Sequence, residues 1–112
     1  MKQLPPIAHL VSPFLIFQIL LVPTVTAQPQ PQDGGALYQA HACASCHGKN
    51  GLQPISPDYP MLGGQNARYL LRQMIDIRDG TRTNALAATM RASVGKVSDE
   101  DFAIIAEWLS RK

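Results

Sequence analysis

The residues best placed to do chemistry in this 112-residue chain stand in one short run, Cys43-Ala-Ser-Cys46-His47, which holds both of its cysteines. A Cys-x-x-Cys disulfide closes a very small loop, so it removes little entropy from the unfolded chain and makes a weak staple. A thioredoxin-like redox pair needs a strand ahead of the motif and a parallel sheet around it. No period-2 strand pattern is visible after Ala27. A closed structural zinc site needs four ligands. His41, Cys43, Cys46 and His47 are the only thiol or imidazole groups after Ala27, and four ligands within seven residues are too crowded for an ordinary tetrahedral knuckle.

The remaining use of Cys-x-x-Cys-His is covalent attachment of a c-type haem, and it gives every residue of the motif a task. Cys43 and Cys46 are three apart, so on one helical turn both reach the vinyl groups along one porphyrin edge. His47 then projects toward the iron as proximal ligand. The haem also supplies a large apolar plate to a chain too short to bury much core of its own.

A second axial ligand has three downstream candidates, Met61, Met74 and Met90. Met74 has Leu70, Leu71 and Ile77 around it at helical spacing and reads as core filler. Met61 follows Pro60 and is only 14 residues from His47, so its segment would have to cross the haem edge to reach the other face. Met90 has a helix and a loop with which to make that journey, so chain reach favours it, with Met61 as the rival.

The elements that must position these groups all read as helix or loop. A short helix runs from Asp33 through Leu37 and Tyr38 to the attachment motif. Gly48 to Gly64, with Pro54, Pro57 and Pro60, reads as an irregular loop. The run Tyr69-Leu-Leu-Arg-Gln-Met-Ile-Asp-Ile77 has helical periodicity and stops near Gly80. A polar turn over 81–84 leads into the alanine-rich stretch before Met90. Ser98 caps a last helix with three acids in its first turn, where the helix dipole favours them. That helix gathers Phe102, Ile105 and Leu109 on one side. Arg68 and Arg72 share a face that reads as solvated, with docking of an acidic partner as the alternative.

Composition closes off other classes. Lys+Arg 10 against Asp+Glu 8 leaves a net charge of only +2, without the basic stripe of a nucleic-acid binder. Hydrophobic content of 46% argues against disorder as a description of the whole chain. The apolar run Val11–Val22 after Lys2, ending in Val25-Thr26-Ala27, reads as a secretory signal cleaved after Ala27. Pro13, Gln18 and Pro23 interrupt it, which leaves it short of the roughly 20 apolar residues a spanning helix needs. The alternative is a retained anchor. The expected organisation is signal peptide 1–27, polar Pro/Gln linker 28–34 and haem domain 35–112.

From about Gly35 to Leu109 the chain resembles a class I c-type cytochrome of the small bacterial kind. The resemblance rests on Cys43-Ala-Ser-Cys-His-Gly48, Pro57-Asp-Tyr-Pro-Met-Leu-Gly-Gly-Gln65, Tyr69-Leu-x-x-Gln73, Gly80-x-Arg82-x-Asn84, and Met90 ahead of Val97-Ser-Asp-Glu-Asp101. It implies an all-α fold, short helices wrapped around one covalent haem c. It also implies thioethers at Cys43 and Cys46, and His47 and Met90 as axial ligands of the iron. The carbonyl of Pro57 would accept the His47 Nδ1 proton. A glycine at 34 or 35 would let the first helix cross the last near Tyr38 and Trp108, although one extra residue separates Tyr38 from Cys43. The function implied is one-electron transfer in the periplasm between redox partner proteins, rather than catalysis. Service as the cytochrome subunit of a periplasmic dehydrogenase is the alternative. Ligand sensing would require a labile sixth position. Neither nucleic acid nor, once the signal is cleaved, membrane insertion is expected.

Overall fold

The computed structural model describes Gln3 and residues 32–112. The expected signal peptide, apart from Gln3, and linker residues 28–31 lie outside the described residues. Five helices follow in order: α1 (Gly34–Ala40), α2 (Ala44–His47), α3 (Ala67–Asp79), α4 (Ala87–Val94) and α5 (Asp99–Ser110). No strand occurs among the described residues, as the sequence predicts. None of the described helices is long and apolar enough to cross a membrane.

α1, α3 and α5 each start where a short polar side chain can take an orphan amide. The Asp33, Asn66 and Ser98 side chains accept from the backbone N–H groups of Gly35, Tyr69 and Asp101. Asp33 is therefore the cap of α1 and Gly34 its first residue. The expected boundary between linker and domain at 34/35 falls one residue inside this helix.

α1 and α3 both pack on α5, and α4 packs on α3. Phe102, Ile105 and Leu109 form the buried face of α5, and Leu70, Met74 and Ile77 that of α3. The crossing of α1 over α5 depends on Gly34 rather than Gly35. A Cβ at Gly34 would overlap the Cβ of Trp108 and stand 2.8 Å from the Ile104 carbonyl oxygen. A Cβ at Gly35 would stand 3.1 Å from the Trp108 ring, a tight but less severe approach. Next to this crossing Tyr38, with 0% of its surface exposed, packs against Trp108 with ring centroids 5.2 Å apart. Its hydroxyl donates to the Gly48 carbonyl at 2.7 Å, which ties α1 to the residue after His47.

The extra residue between Tyr38 and Cys43 is absorbed by a left-handed turn. Ala42 has φ +58°; its N–H donates to the Gln39 carbonyl, and the Cys43 N–H donates back to the Tyr38 carbonyl. This pair of bonds is a Schellman motif, whose left-handed position glycine usually fills. Left-handed backbone costs a residue with a Cβ roughly 1–2 kcal/mol, against about 0.4–1 kcal/mol of added unfolded-state entropy for glycine. Ala42→Gly is therefore expected to stabilise the holoprotein by about 0.5–1 kcal/mol, raising Tm by a few degrees. An unchanged or lower Tm would mean that Ala42 carries no strain.

At the other end of the molecule Arg78 fastens α3 to the start of α5. Its guanidinium donates to Asp79, to Asp99 and to the Val97 carbonyl, and lies over the Phe102 ring at 5.4 Å. Arg72, on the solvated face, pairs with Asp76 one turn along. Such an exposed pair contributes only a few tenths of a kcal/mol.

Candidate haem cleft

Between these elements lies a cleft of about 350 Å³, lined mostly by apolar side chains. Cofactor sites occupy about 300–1,000 Å³. Cys43, Cys46 and His47 from the α2 region border it, as does Met90 from α4, while Met74, Phe102, Ile105 and Leu109 add buried apolar surface. The structure thus brings Cys43, Cys46, His47 and Met90 to one cavity. Met61 is 62% exposed and does not line the cleft. Met74 is both the core residue expected and part of the cleft wall.

His47 is 6% exposed and held in one orientation. Its Nδ1 stands 2.8 Å from the Pro60 carbonyl oxygen. A carbonyl only accepts, so Nδ1 carries the proton and the lone pair of the neutral ring sits on Nε2. Burial holds the imidazole below its usual range, with the Pro60 carbonyl pulling weakly the other way. The ring is neutral at pH 7, the form a metal requires.

The partner of Nδ1 corrects one expectation, which placed Pro57 in this role. Ser56 to Tyr59 form a turn closed by the Tyr59 N–H on the Ser56 carbonyl, and Ser56 Oγ accepts from the Asp58 N–H. Pro57 takes the second turn position, where its fixed φ is favoured. The turn sends the chain back, and the carbonyl that reaches His47 is that of Pro60. Pro57 still lines the cleft. Tyr59, from the same turn, meets the His47 ring edge-on with centroids 6.3 Å apart.

The competing uses of the motif do not fit. Cys43 and Cys46 are free thiols, and burial pushes the Cys43 thiol up to about 11, away from the thiolate that zinc binding requires. His41 Nε2 lies 3.0 Å from an Asp101 carboxylate oxygen, so that ring is engaged with α5. Among the described residues no group of three or more His, Cys, Asp and Glu is arranged to hold a metal ion. The donor set suits a haem: two thiols beside a single imidazole with its outer nitrogen tied, and a thioether on the same apolar cavity.

Arg82 also belongs to the cleft wall, with Asn84, Ala85 and Leu86, a feature the sequence reading did not assign to the site. Ala85 is the second non-glycine residue with left-handed backbone among the described residues, φ +51°. Both such residues, Ala42 and Ala85, border the cleft, consistent with backbone strain collecting at functional sites.

Comparison with known proteins agrees with this geometry. Residues 29–109 match the family described as cytochrome C oxidase, cbb3-type, subunit III. The chain is 39% identical to a cytochrome c4 of Pseudomonas aeruginosa over 86% of its own length and 47% of that protein's. It is 44% identical to cytochrome c-554(548) of Halomonas halodenitrificans over 61% of its own length and 81% of that protein's. A protein of Stutzerimonas stutzeri named thiosulfate dehydrogenase electron acceptor is 36% identical over 68% of the chain and 34% of its own length. The chain spans about half the length of the cytochromes c4 it matches. An all-helical fold, a haem-attachment motif on an apolar cleft and these matches together make the chain a member of the cytochrome c family, a small class I c-type domain for one covalently bound haem c.

Proposed function

We propose that the chain is a one-electron carrier whose haem is attached through Cys43 and Cys46 and held axially by His47 and Met90. The observation that carries this reading is the shared cavity: His47, its Nδ1 proton committed to Pro60, and Met90 on α4 border the same apolar cleft as both cysteines. The haem supplies an iron that cycles between two oxidation states without breaking bonds. The residues of the chain do the rest. With His47 and Met90 both holding the iron, no position would be left for oxygen or substrate, and a methionine ligand would favour the reduced state. Pro60 fixes the ring plane of His47 and raises the basicity of its outer nitrogen. The apolar wall made by Phe102, Ile105 and Leu109 keeps water from the iron.

The apolar run at 11–22 and Val25-Thr26-Ala27 support export to the periplasm, an oxidising compartment in which the haem domain works after cleavage behind Ala27. Redox partners are then periplasmic proteins. The relative named as an electron acceptor of thiosulfate dehydrogenase favours a second reading, in which this chain takes electrons from a periplasmic dehydrogenase. Co-purification with a larger catalytic subunit separates that reading from a free carrier.

The test is an absorption spectrum of the exported protein, oxidised, reduced and then denatured in pyridine. Two thioether links are expected to shift the reduced pyridine bands, and sulfur on iron to give a weak far-red band in the oxidised form. A pyridine spectrum of unattached haem, or no haem, would overturn the proposal.

A further inference from the structure

Met90 sits on a weakly secured helix. α4 has no side-chain cap at Leu86 and buries only Ala87 and Val94, against α3. Two such small residues make a smooth seam, and a helix lying on a smooth seam can roll. Successive residues are about 100° apart around a helix. Met90 therefore stands on one side of the line from Ala87 to Val94, and Arg91 on the other. Whatever stops α4 from rolling also aims Met90 at the cleft.

Arg91 is placed to do this. Its Nε donates to the Ile77 carbonyl, in the last turn of α3, at 2.9 Å. Among the described residues this is the one side-chain hydrogen bond from α4 to another helix. The last carbonyls of a helix have no partner within it, and the negative end of the helix dipole favours a cation there. Room for the guanidinium comes from left-handed Gly80, where a Cβ would stand 3.2 Å from one terminal nitrogen. The Gly80 N–H donates to the same Ile77 carbonyl, so the turn and the guanidinium converge on one acceptor. Arg91 is half-buried and does not line the cleft. Among the described residues no carboxylate oxygen lies within 4.0 Å of it, whereas Arg72, Arg78 and Arg111 each have an acidic partner. Its guanidinium serves the end of α3 and not a surface ion pair.

We infer that Arg91 is a positioning residue for the sixth ligand: by locking α4 to the C-terminal turn of α3, it keeps the Met90 sulfur directed at the iron. This rests on the His47/Met90 ligation proposed above. An added ligand can take the sixth position only while the sulfur is off the iron. Its apparent affinity therefore reports the fraction of molecules in which the sulfur has left.

The experiment is a titration of oxidised, exported holoprotein with imidazole at pH 8, read by loss of the far-red band. The proteins are the unmodified chain, Arg91→Ala, Arg91→Lys, Arg78→Ala and Met90→Ala. Imidazole is mostly neutral at this pH, so the lost charge of Arg91 acts on it weakly. Removing a hydrogen bond from a charged donor is expected to raise the apparent imidazole affinity of Arg91→Ala roughly tenfold. Arg91→Lys keeps the charge and a donor and should stay near the unmodified protein. Arg78→Ala cuts the tie between α3 and α5, which carries no ligand, so it should lower Tm and leave the imidazole affinity as it was. If Arg91→Ala does not accumulate as holoprotein, Arg91→Gln takes its place with the same expectation, since it keeps part of the stem and is too short for the bond. An unchanged affinity in the Arg91 variant, or an equal rise in Arg78→Ala, would overturn the assignment. Absence of the far-red band from the unmodified protein, or its persistence in Met90→Ala, would instead overturn the ligation on which it rests.

Discussion

Replacing Met90 with Ala is expected to abolish the far-red band of the oxidised protein and to lower its midpoint potential on the order of 0.2 V, about a quarter of the roughly 0.8 V that axial ligation spans. Both effects follow from losing the sulfur, which favours the reduced iron more than water or an open position does. The same change should let added imidazole or cyanide bind, which the unmodified protein resists. Met61→Ala is the control. Its side chain is 62% exposed and lies off the cleft, so spectrum and potential should stay as they were. Persistence of the band in Met90→Ala would point to Met74, the other methionine on the cleft wall. Potentiometric titration with parallel spectra decides between them.

How well the sequence foretold the site depends on the kind of constraint each residue obeys. The Cys-x-x-Cys-His spacing makes Cys43, Cys46 and His47 legible as a unit, and the fold brings them to one cleft. Chain reach singles out Met90 over Met61, and the fold places Met90 on the cleft and Met61 off it. Three prolines at spacings of three, Pro54, Pro57 and Pro60, offer similar carbonyls, and only the turn at 56–59 decides which one faces His47. The left-handed residue at 42 was hidden because it is an alanine. Nothing in its type announces the position, although the extra residue before Cys43 was its trace. Gly34 and Gly35 are equivalent as letters, and only the crossing sets Gly34 against the Trp108 Cβ and the Ile104 carbonyl while Gly35 meets the indole ring. Arg82 was hidden for a further reason: its partner Gln73, nine residues earlier, comes within reach only because Gly80 reverses the chain. Helix α4 gives a weak signal, being built of Ala, Thr and Ser with little periodicity, and packing on α3 organises it.

The largest effect on stability is expected from removing haem attachment. In a Cys43→Ala/Cys46→Ala chain, or in protein made in a reducing cytosol without attachment machinery, the cleft has no filling. At about 24 cal/mol per Å³ of closed void, a cavity of about 350 Å³ sets an upper bound of roughly 8 kcal/mol on the loss, since the cleft is open to water on one side. A domain covering residues 32–112 has a net stability of roughly 4–12 kcal/mol at typical values per residue. The two figures are of one size, so the apoprotein should be largely unfolded at 25 °C. The residues that would collapse to close the void cannot do so easily. Phe102, Ile105 and Leu109 are fixed on α5 by its contacts with α1 and α3, and Gly34 already brings α1 as near to α5 as backbone allows. Far-UV circular dichroism of the exported holoprotein and the double variant at equal concentration gives the test. A helical, cooperatively melting apoprotein would mean that the eleven buried apolar residues suffice as a core, and that haem is a passenger in the fold instead of its centre.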